Sequence, residues 1–364
     1  MRTIVIGAFG NFGARICRAL SDEPDIHLVA TGRNPDVRRF SSRVEVAKLD
    51  LASPDFALHL ARLSPQLVIH CAGPFQGQDY RVARASLTVG AHYFDLADGR
   101  EFVANFSAEL DAAAKEAGLL LISGASTVPA LSSAVINQLR KRLPQIYGIR
   151  MAIAPGQRAP RGEATMAAVF SYAGKRFKWL QDGEWRDAHG WQEMNRMRFA
   201  GLGTRWAAAC DIPDLALFPQ RYPGVRTVEF RAALDLSVQH FALWMVAALR
   251  KAGVPLAIER AAGALNRVAS LLNAFGTDRG GMLISLTGAT ADGTERRIEW
   301  HLTADSGHGP EIPCIAAILL TRKLARGKLA QRGAFPCMGF LDLAEFEAQF
   351  AHWKISTCVE EKSL

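Results

Sequence analysis

The chain has 364 residues, 49% of them hydrophobic and 21% charged, enough to bury a large core and to make two domains. Its net charge of +8 comes from arginines scattered without a run of five or six, which suits anionic small molecules; with no recognition motif beside the charge, nucleic acid is not expected. Six widely spaced cysteines include no C-x-x-C pair, as expected of reduced thiols in the cytoplasm, and nine histidines include no H-x-x-x-H pair, so no metal is expected.

Residues 2–6 (RTIVI) form an apolar, β-branched run without polar alternation, the pattern of a strand buried on both faces of a parallel sheet. With this strand at the N-terminus of the sequence, no signal peptide is expected. The glycine turn Gly7-Ala8-Phe9-Gly10-Asn11-Phe12-Gly13 follows at once, then a helix over 14–20 (ARICRAL) and a second strand over 27–30 (HLVA). A βαβ unit with its glycines in this place predicts a dinucleotide site formed by those seven turn residues. Gly7 permits the tight turn, Gly10 lets backbone approach a pyrophosphate, and Gly13 lets the helix pack closely on the strand. The G-x-x-G-x-x-G spacing departs by one residue from the commoner G-x-G-x-x-G.

The end of the second strand selects the nucleotide. An NAD site usually places Asp or Glu there, whereas this chain reads Thr31-Gly32-Arg33-Asn34. A planar guanidinium at Arg33 suits a 2′-phosphate, so NADP is the expected cofactor, with Thr31, Arg33 and Asn34 at its adenosine end.

Four more strands are predicted at 44–48, 67–71, 92–96 and 119–123, with helices at 54–63, 80–89 and 101–117 between the later ones. Such alternation predicts an α/β fold, a Rossmann doubly wound parallel sheet. The carboxyl edge of that sheet would gather residues 7–13, Arg33, Asp50, the segment Ala72-Gly73-Pro74-Phe75, Asp98 and residues 124–127. Ala72, Gly73, Pro74 and Phe75 offer small residues and a flat apolar face to a nicotinamide ring. Asp98 is the candidate proton donor if burial raises its pKa, and a helix cap otherwise. Ser126 and Thr127 suit either a cap or a substrate contact.

Beyond residue 129 the pattern changes. A helix over 130–143 and a strand over 149–154 lead into a Pro/Gly-rich loop at 155–162, in which Arg158 and Arg161 could hold a substrate carboxylate. Short alternating segments follow at 178–180, 185, 227–233, 282–287 and 296–302, with Asp182-Gly183 and Asp292-Gly293 as hairpin turns. With apolar helices at 238–250 and 258–272, they predict a second, α+β domain with a largely antiparallel sheet. The apolar run 241–249 is half the length of a bilayer span, so no integral membrane segment is expected. Burial of that helix in a core or a subunit interface is expected instead, in a homodimer. The expected division is a first domain over 1–129 completed by 310–364, and a substrate and dimerisation domain over 130–309.

Short-chain dehydrogenases share the glycine-rich start, but their chemistry requires Y-x-x-x-K. The five tyrosines here are followed at that spacing by Arg84, Ala97, Met151, Arg176 and Arg226. A second group fits better. Cys71-Ala72-Gly73-Pro74-Phe75, the stretch 84–86, the fifth-strand segment Gly90-Ala91-His92-Tyr93-Phe94-Asp95-Leu96 and the small-residue turn over 124–132 resemble the saccharopine dehydrogenase-like oxidoreductases. The resemblance covers about residues 1–145 in motif and the remainder in architecture. It implies NAD(P)-dependent hydride transfer to or from a C–N bond of an imine or secondary amine, or a C=C bond, of a small metabolite. Ala97-Asp98-Gly99 stands where many members have Thr-Gly-Glu, and Ser126-Thr127-Val128-Pro129 where the saccharopine-forming enzymes have D-P-G, so the resemblance does not extend to the substrate. An NADP-binding sensor similar to NmrA-like proteins is the alternative, against which the size of the second domain argues.

Overall fold

The computed structural model describes residues 1–160, 162–256 and 262–364, which form two compact units. The first holds Met1–Leu131 and Glu311–Leu341, the second Ser132–Pro310 and Asp342–Leu364.

In the first unit, strands β1 (Arg2–Ile6), β2 (His27–Gly32), β3 (Glu45–Lys48), β4 (Leu67–His70), β5 (His92–Asp95) and β6 (Leu120–Ser123) are joined through helices α1 (Gly13–Leu20), α2 (Phe56–Arg62), α3 (Arg81–Thr88) and α4 (Arg100–Glu116). All strands pair in parallel in the order β3-β2-β1-β4-β5-β6, the expected doubly wound sheet. A seventh strand, β15 (Gly333–Pro336), reached through helix α10 (Ile312–Ala325), pairs in parallel with β6. Both faces are covered, which is why β1 and β4 are mostly apolar and bury Ile4, Val5, Val68 and Ile69 completely. Strand order reverses between β1 and β4, and ligands of such sheets bind beyond the carboxyl ends at that switch point.

The second unit begins with α5 (Ser132–Leu139) and β7 (Gln145–Ala154), and continues through α6 (Glu163–Ser171), the hairpin β8 (Arg176–Gln181) and β9 (Glu184–His189), and the hairpin β10 (Asn195–Phe199) and β11 (Gly203–Ala209). Helix α7 (Asp214–Arg221), β12 (Thr227–Ala233), α8 (Ser237–Lys251) and α9 (Ala262–Leu271) precede the hairpin β13 (Gly280–Ala289) and β14 (Glu295–Ala304). Helix α11 (Leu343–Phe350) and β16 (Ile355–Ser363) close the chain. The sheet runs β10-β11-β12-β7-β13-β14-β16 and is antiparallel except where β12 meets β7. Asp182 and Gly183 both have positive φ, 54° and 89°, as a two-residue hairpin turn requires. β12 is buried along its whole length, and the charges it carries are paired: Arg231 donates to Glu229 and lies 4.8 Å over the Trp179 ring.

Two expectations are corrected here. Residues 342–364 group with the second unit and not the first, because β14 is left with an open edge that β16 fills from Arg296↔Ser363 to Ala304↔Ile355. The helix expected over 130–143 is a wide turn, Thr127–Leu131, followed by the shorter α5. Part of the helix expected over 258–272 lies outside the described residues; the described part is α9.

Candidate functional site

The glycine turn joins β1 to α1 at the switch point. Gly7 has φ +77°, and a Cβ there would stand 3.0 Å from Ala72 N, so this position requires glycine on two counts. At Gly13 a Cβ would come within 2.3 Å of the Gly7 carbonyl oxygen and 2.8 Å of Ala8 Cα, the close helix–strand approach expected of the third glycine. Gly10 is exposed, and a Cβ there would meet only Gly7 O, at 3.2 Å. The turn is closed by hydrogen bonds from Gly10 N to Gly7 O at 3.0 Å and from Ala8 N to Thr31 O at 3.1 Å. No side chain caps α1, and the N–H groups of Phe12 and Gly13 have no acceptor among the described residues. Asn11 is held from behind: Arg15 donates to its carbonyl at 2.7 Å and, through Nε, to Glu311 at 2.8 Å.

At the end of β2, Arg33 and Asn34 are exposed, and Arg33 has no hydrogen bond or ion pair among the described residues. Phe9 lies under Gly32, within 2.8 Å of where a Cβ would be, and packs against Phe40 with the rings tilted and their centroids 5.4 Å apart. Thr31 differs from expectation. Its side chain is fully buried and its hydroxyl donates to the Val5 carbonyl at 2.9 Å, so it ties β2 to β1 and faces no ligand. Asp50 accepts the Ala52 N–H at 3.0 Å and closes the turn after β3.

Beyond β4, Gly73 and Pro74 remain accessible, and Gln78 braces the loop by donating to the carbonyls of Ala72 at 3.0 Å and Pro74 at 2.6 Å. Phe75 does not present its face outward. It is 4% exposed and packs inward against His70 at 4.9 Å and Phe102 at 5.5 Å, because the loop folds it under the sheet edge.

Beneath this loop lies a buried polar row. The Tyr93 hydroxyl meets His70 Nδ1 at 3.1 Å, and burial pulls the His70 pKa down to about 4, so the imidazole is neutral. Asp95 accepts the N–H of Ala97 at 2.9 Å, the N–H of Gly124 at 2.8 Å and the Ser123 hydroxyl at 3.0 Å. Burial outweighs these donors and pushes Asp95 up to about 6. Its place in the fold is to tie the ends of β5 and β6 together. The Tyr-x-Asp spacing on β5 was the available signal, since side chains two apart share a strand face.

Asp98 follows β5 and is partly buried. Its carboxylate accepts the Gln76 side-chain amide at 3.1 Å, and burial raises its pKa against that bond. It does not cap α4: the cap residue is Gly99, with no side-chain cap bond. The Gln76 carbonyl oxygen is buried without a donor. Neither Ser126 nor Thr127 has a side-chain hydrogen bond among the described residues, and neither caps α5. In the second unit Arg158 is exposed, its backbone N–H donating to Thr277 O at 2.9 Å, while Arg161 lies outside the described residues.

Among the described residues, one cluster has the spacing of metal ligands. Glu299, His301 and Glu360 place ligand atoms within 4.8 Å of one another on β14 and β16. The carboxylates are already met by cations of the chain, Arg198 forking onto Glu360 at 2.8 and 2.9 Å and Lys362 reaching Glu299 at 2.9 Å. No helix among the described residues is long and apolar enough to cross a membrane.

The sheet order, the glycine turn at its switch point and the mixed second sheet together define a saccharopine dehydrogenase-like fold. No protein-family model matches the chain, and no curated protein sequence does. Among solved structures it is similar to apo saccharopine dehydrogenase (L-Glu forming) from Saccharomyces cerevisiae, at a TM-score of 0.65 and 11% identity over 100% of both chains. It is also similar to homospermidine synthase from Legionella pneumophila, solved with NAD, at a TM-score of 0.60 and 10% identity over 100% of this chain and 92% of that one. At these identities the likeness establishes the fold.

Proposed function

We propose that the chain is an NADP-dependent oxidoreductase acting on a C–N or C=C bond of a small metabolite. The observation that carries the cofactor is the glycine turn at the switch point. Its residues fit a dinucleotide: the exposed Gly10, where a side chain would take up open space above the turn, two N–H groups at the start of α1 without an acceptor among the described residues, and an orphaned acceptor at Gln76 farther along the same edge. Residues 7–13 would receive the pyrophosphate, Arg33 the 2′-phosphate, and the segment after Ala72 the nicotinamide end. When bound, the nucleotide supplies or accepts the hydride. Asp98 is the proton donor and acceptor in this reading: its Oδ1 accepts the Gln76 amide, burial raises its pKa, and Oδ2 is the atom that would pass a proton to the reacting atom or take one back. The proteins of the same fold, named for saccharopine oxidation and homospermidine synthesis, support a substrate with a secondary amine or imine.

Calorimetry with NADPH and NADH tests the cofactor. A charge-assisted contact from Arg33 contributes about 1.5–3 kcal/mol, or roughly tenfold to a hundredfold in affinity. Arg33→Asp is expected to weaken NADPH by that factor and leave NADH nearly unchanged. Equal affinity of the unaltered protein for both nucleotides overturns the NADP assignment.

A further inference from the structure

In the second unit, β14 and β16 bring four metal-ligand side chains to one face of the sheet. Their register sets Glu299 opposite Glu360 and His301 opposite Cys358, and residues that are opposite each other, or two apart on one strand, share a face. Ligand atoms of Glu299, His301 and Glu360 lie within 4.8 Å of one another, and Cys358 is a free, exposed thiol at the fourth corner. His301 distinguishes this cluster from a surface ion-pair network, which needs no histidine. It is 1% exposed, and its Nε2 is buried without a partner among the described residues. Its other ring nitrogen, Nδ1, accepts the Ala200 N–H at 3.3 Å, so Nε2 is the atom left for the cluster. Leaving a buried polar atom unsatisfied is costly, and here two carboxylates stand beside it.

We propose that Glu299, His301, Cys358 and Glu360 form a zinc site that clamps β16 onto β14. An imidazole nitrogen, a thiolate and two carboxylate oxygens are a donor set for Zn²⁺, whereas Mg²⁺ and Ca²⁺ take oxygen ligands. Tetrahedral Zn²⁺ sets its ligand atoms about 3.3–3.8 Å apart, so the cluster closes by about 1 Å on binding. Two cations meet the carboxylates in the metal-free chain, and neither bars the ion. Lys362 is 52% exposed and turns to water without loss of burial. Arg198 forks onto both oxygens of Glu360, but a carboxylate has about four lone-pair sites, so one oxygen ligates while the guanidinium keeps its bonds. A ligating carboxylate held in this way from outside is the usual support of a metal site. The bond from Ala200 to Nδ1 places the ring proton on Nε2; on binding that proton moves to Nδ1, and the long bond is given up. The chain shows no C-x-x-C or H-x-x-x-H pair because its ligands come as Glu-x-His and Cys-x-Glu on two strands that only the sheet brings together.

Calorimetric titration of the full, untagged chain with Zn²⁺ and with Mg²⁺, after dialysis against EDTA, tests the site. Cys358→Ser, Glu299→Gln and His301→Gln are titrated beside it, and far-UV circular dichroism establishes which variants fold. Cys358→Ser and Glu299→Gln preserve side-chain size near the surface, so the test does not depend on the buried His301. The unaltered protein is expected to bind one Zn²⁺ with a Kd of roughly 1 µM or tighter, and Mg²⁺ about a hundredfold more weakly or worse. Zn²⁺ is expected to raise its urea midpoint. Each folded variant should bind Zn²⁺ about tenfold more weakly or worse and lose most of that rise. Co²⁺, as a spectroscopic probe, should give a near-ultraviolet thiolate-to-metal band that Cys358→Ser removes. Zn²⁺ bound no more tightly than Mg²⁺, a Zn²⁺ affinity that any folded variant retains in full, or a Co²⁺ complex without the thiolate band overturns the proposal. None of these measurements involves a nucleotide, so failure of the NADP assignment leaves the zinc site standing.

Discussion

The Gln76 amide donates to Asp98 Oδ1 at 3.1 Å, and the Gln76 carbonyl beside it is buried with no donor of its own. One side chain thus restrains the candidate acid and presents an unfilled acceptor along the same sheet edge. Both follow from the loops that leave the carboxyl ends of β4 and β5, neighbouring strands in the sheet.

Asp98→Asn is expected to lower turnover by ~10² or more, as removal of a general acid does, while NADPH affinity stays within twofold because the nucleotide contacts lie elsewhere. Gln76→Leu removes a bond that lowers the Asp98 pKa, so the carboxyl should titrate at still higher pH and the alkaline limb of activity should move upward. Carboxyl-selective ¹³C NMR follows that titration without a substrate. An Asp98 that titrates at its ordinary value in both proteins rules out the acid role.

The glycines divide by what surrounds them. Gly13→Ala puts a methyl group against rigid backbone 2.3 Å away and should destabilise the first unit by about 1–3 kcal/mol. Gly10→Ala meets a single oxygen at 3.2 Å, and stability should change by no more than about 0.5 kcal/mol. The same methyl would stand where a pyrophosphate approaches, so NADPH affinity should fall by about tenfold or more. Denaturant unfolding and calorimetry on the two variants separate the roles, and a Gly10→Ala protein that binds NADPH normally contradicts the turn's assignment.

The parallel sheet was legible because its inner strands β1, β4 and β6 carry apolar runs whose pattern does not depend on their neighbours. Gly7, Gly10 and Gly13 were legible because backbone sterics leave a sequence signature. What distant segments decide was not. β10 (NRMRF) and β11 (GTRWAAA) carry no clear strand pattern, and only the pairing of β10 with β11 and of β11 with β12 makes them strands. β16 (ISTCVEEKS) carries no strand run and forms on the open edge of β14, which drew the tail away from its expected unit. In the site, Phe75 and Thr31 were read from position along the chain, whereas their burial depends on His70, Phe102 and Val5. Gln76 and Gln78 gave no signal at all, since their partners are a carboxylate and carbonyls fixed only by the fold.

Tyr93→Phe removes the hydroxyl that meets His70 Nδ1 and one of the groups that lower the Asp95 pKa. A buried polar group without its partner costs about 1–3 kcal/mol, which urea unfolding at pH 7 will register. With Asp95 raised from 3.8 to about 6, its contribution to stability is full below about pH 4 and is lost as pH rises to about 6. In the variant that loss should continue to higher pH. An unfolding free energy unchanged at every pH would show that the row is not coupled.

Asp214, in the second unit, gives the sharpest pH test. It is fully buried, the Ser132 hydroxyl donates to its Oδ1, and its Oδ2 has no partner among the described residues. Burial raises its pKa from 3.8 to about 7. The folded state therefore keeps a proton that the unfolded chain releases near pH 4. The sign follows from linkage: the contribution is full below about pH 4, falls as pH rises through the window, and is gone above about pH 7. At 1.36 kcal/mol per pKa unit, the loss across that window is on the order of 4 kcal/mol. Asp214→Asn keeps an oxygen for Ser132 and cannot ionise, so its stability should be flatter over the same range and should exceed that of the unaltered protein at pH 8. Urea unfolding of both proteins between pH 4 and 8 measures the difference directly, and parallel curves would mean that Asp214 ionises in the folded state as it does in water.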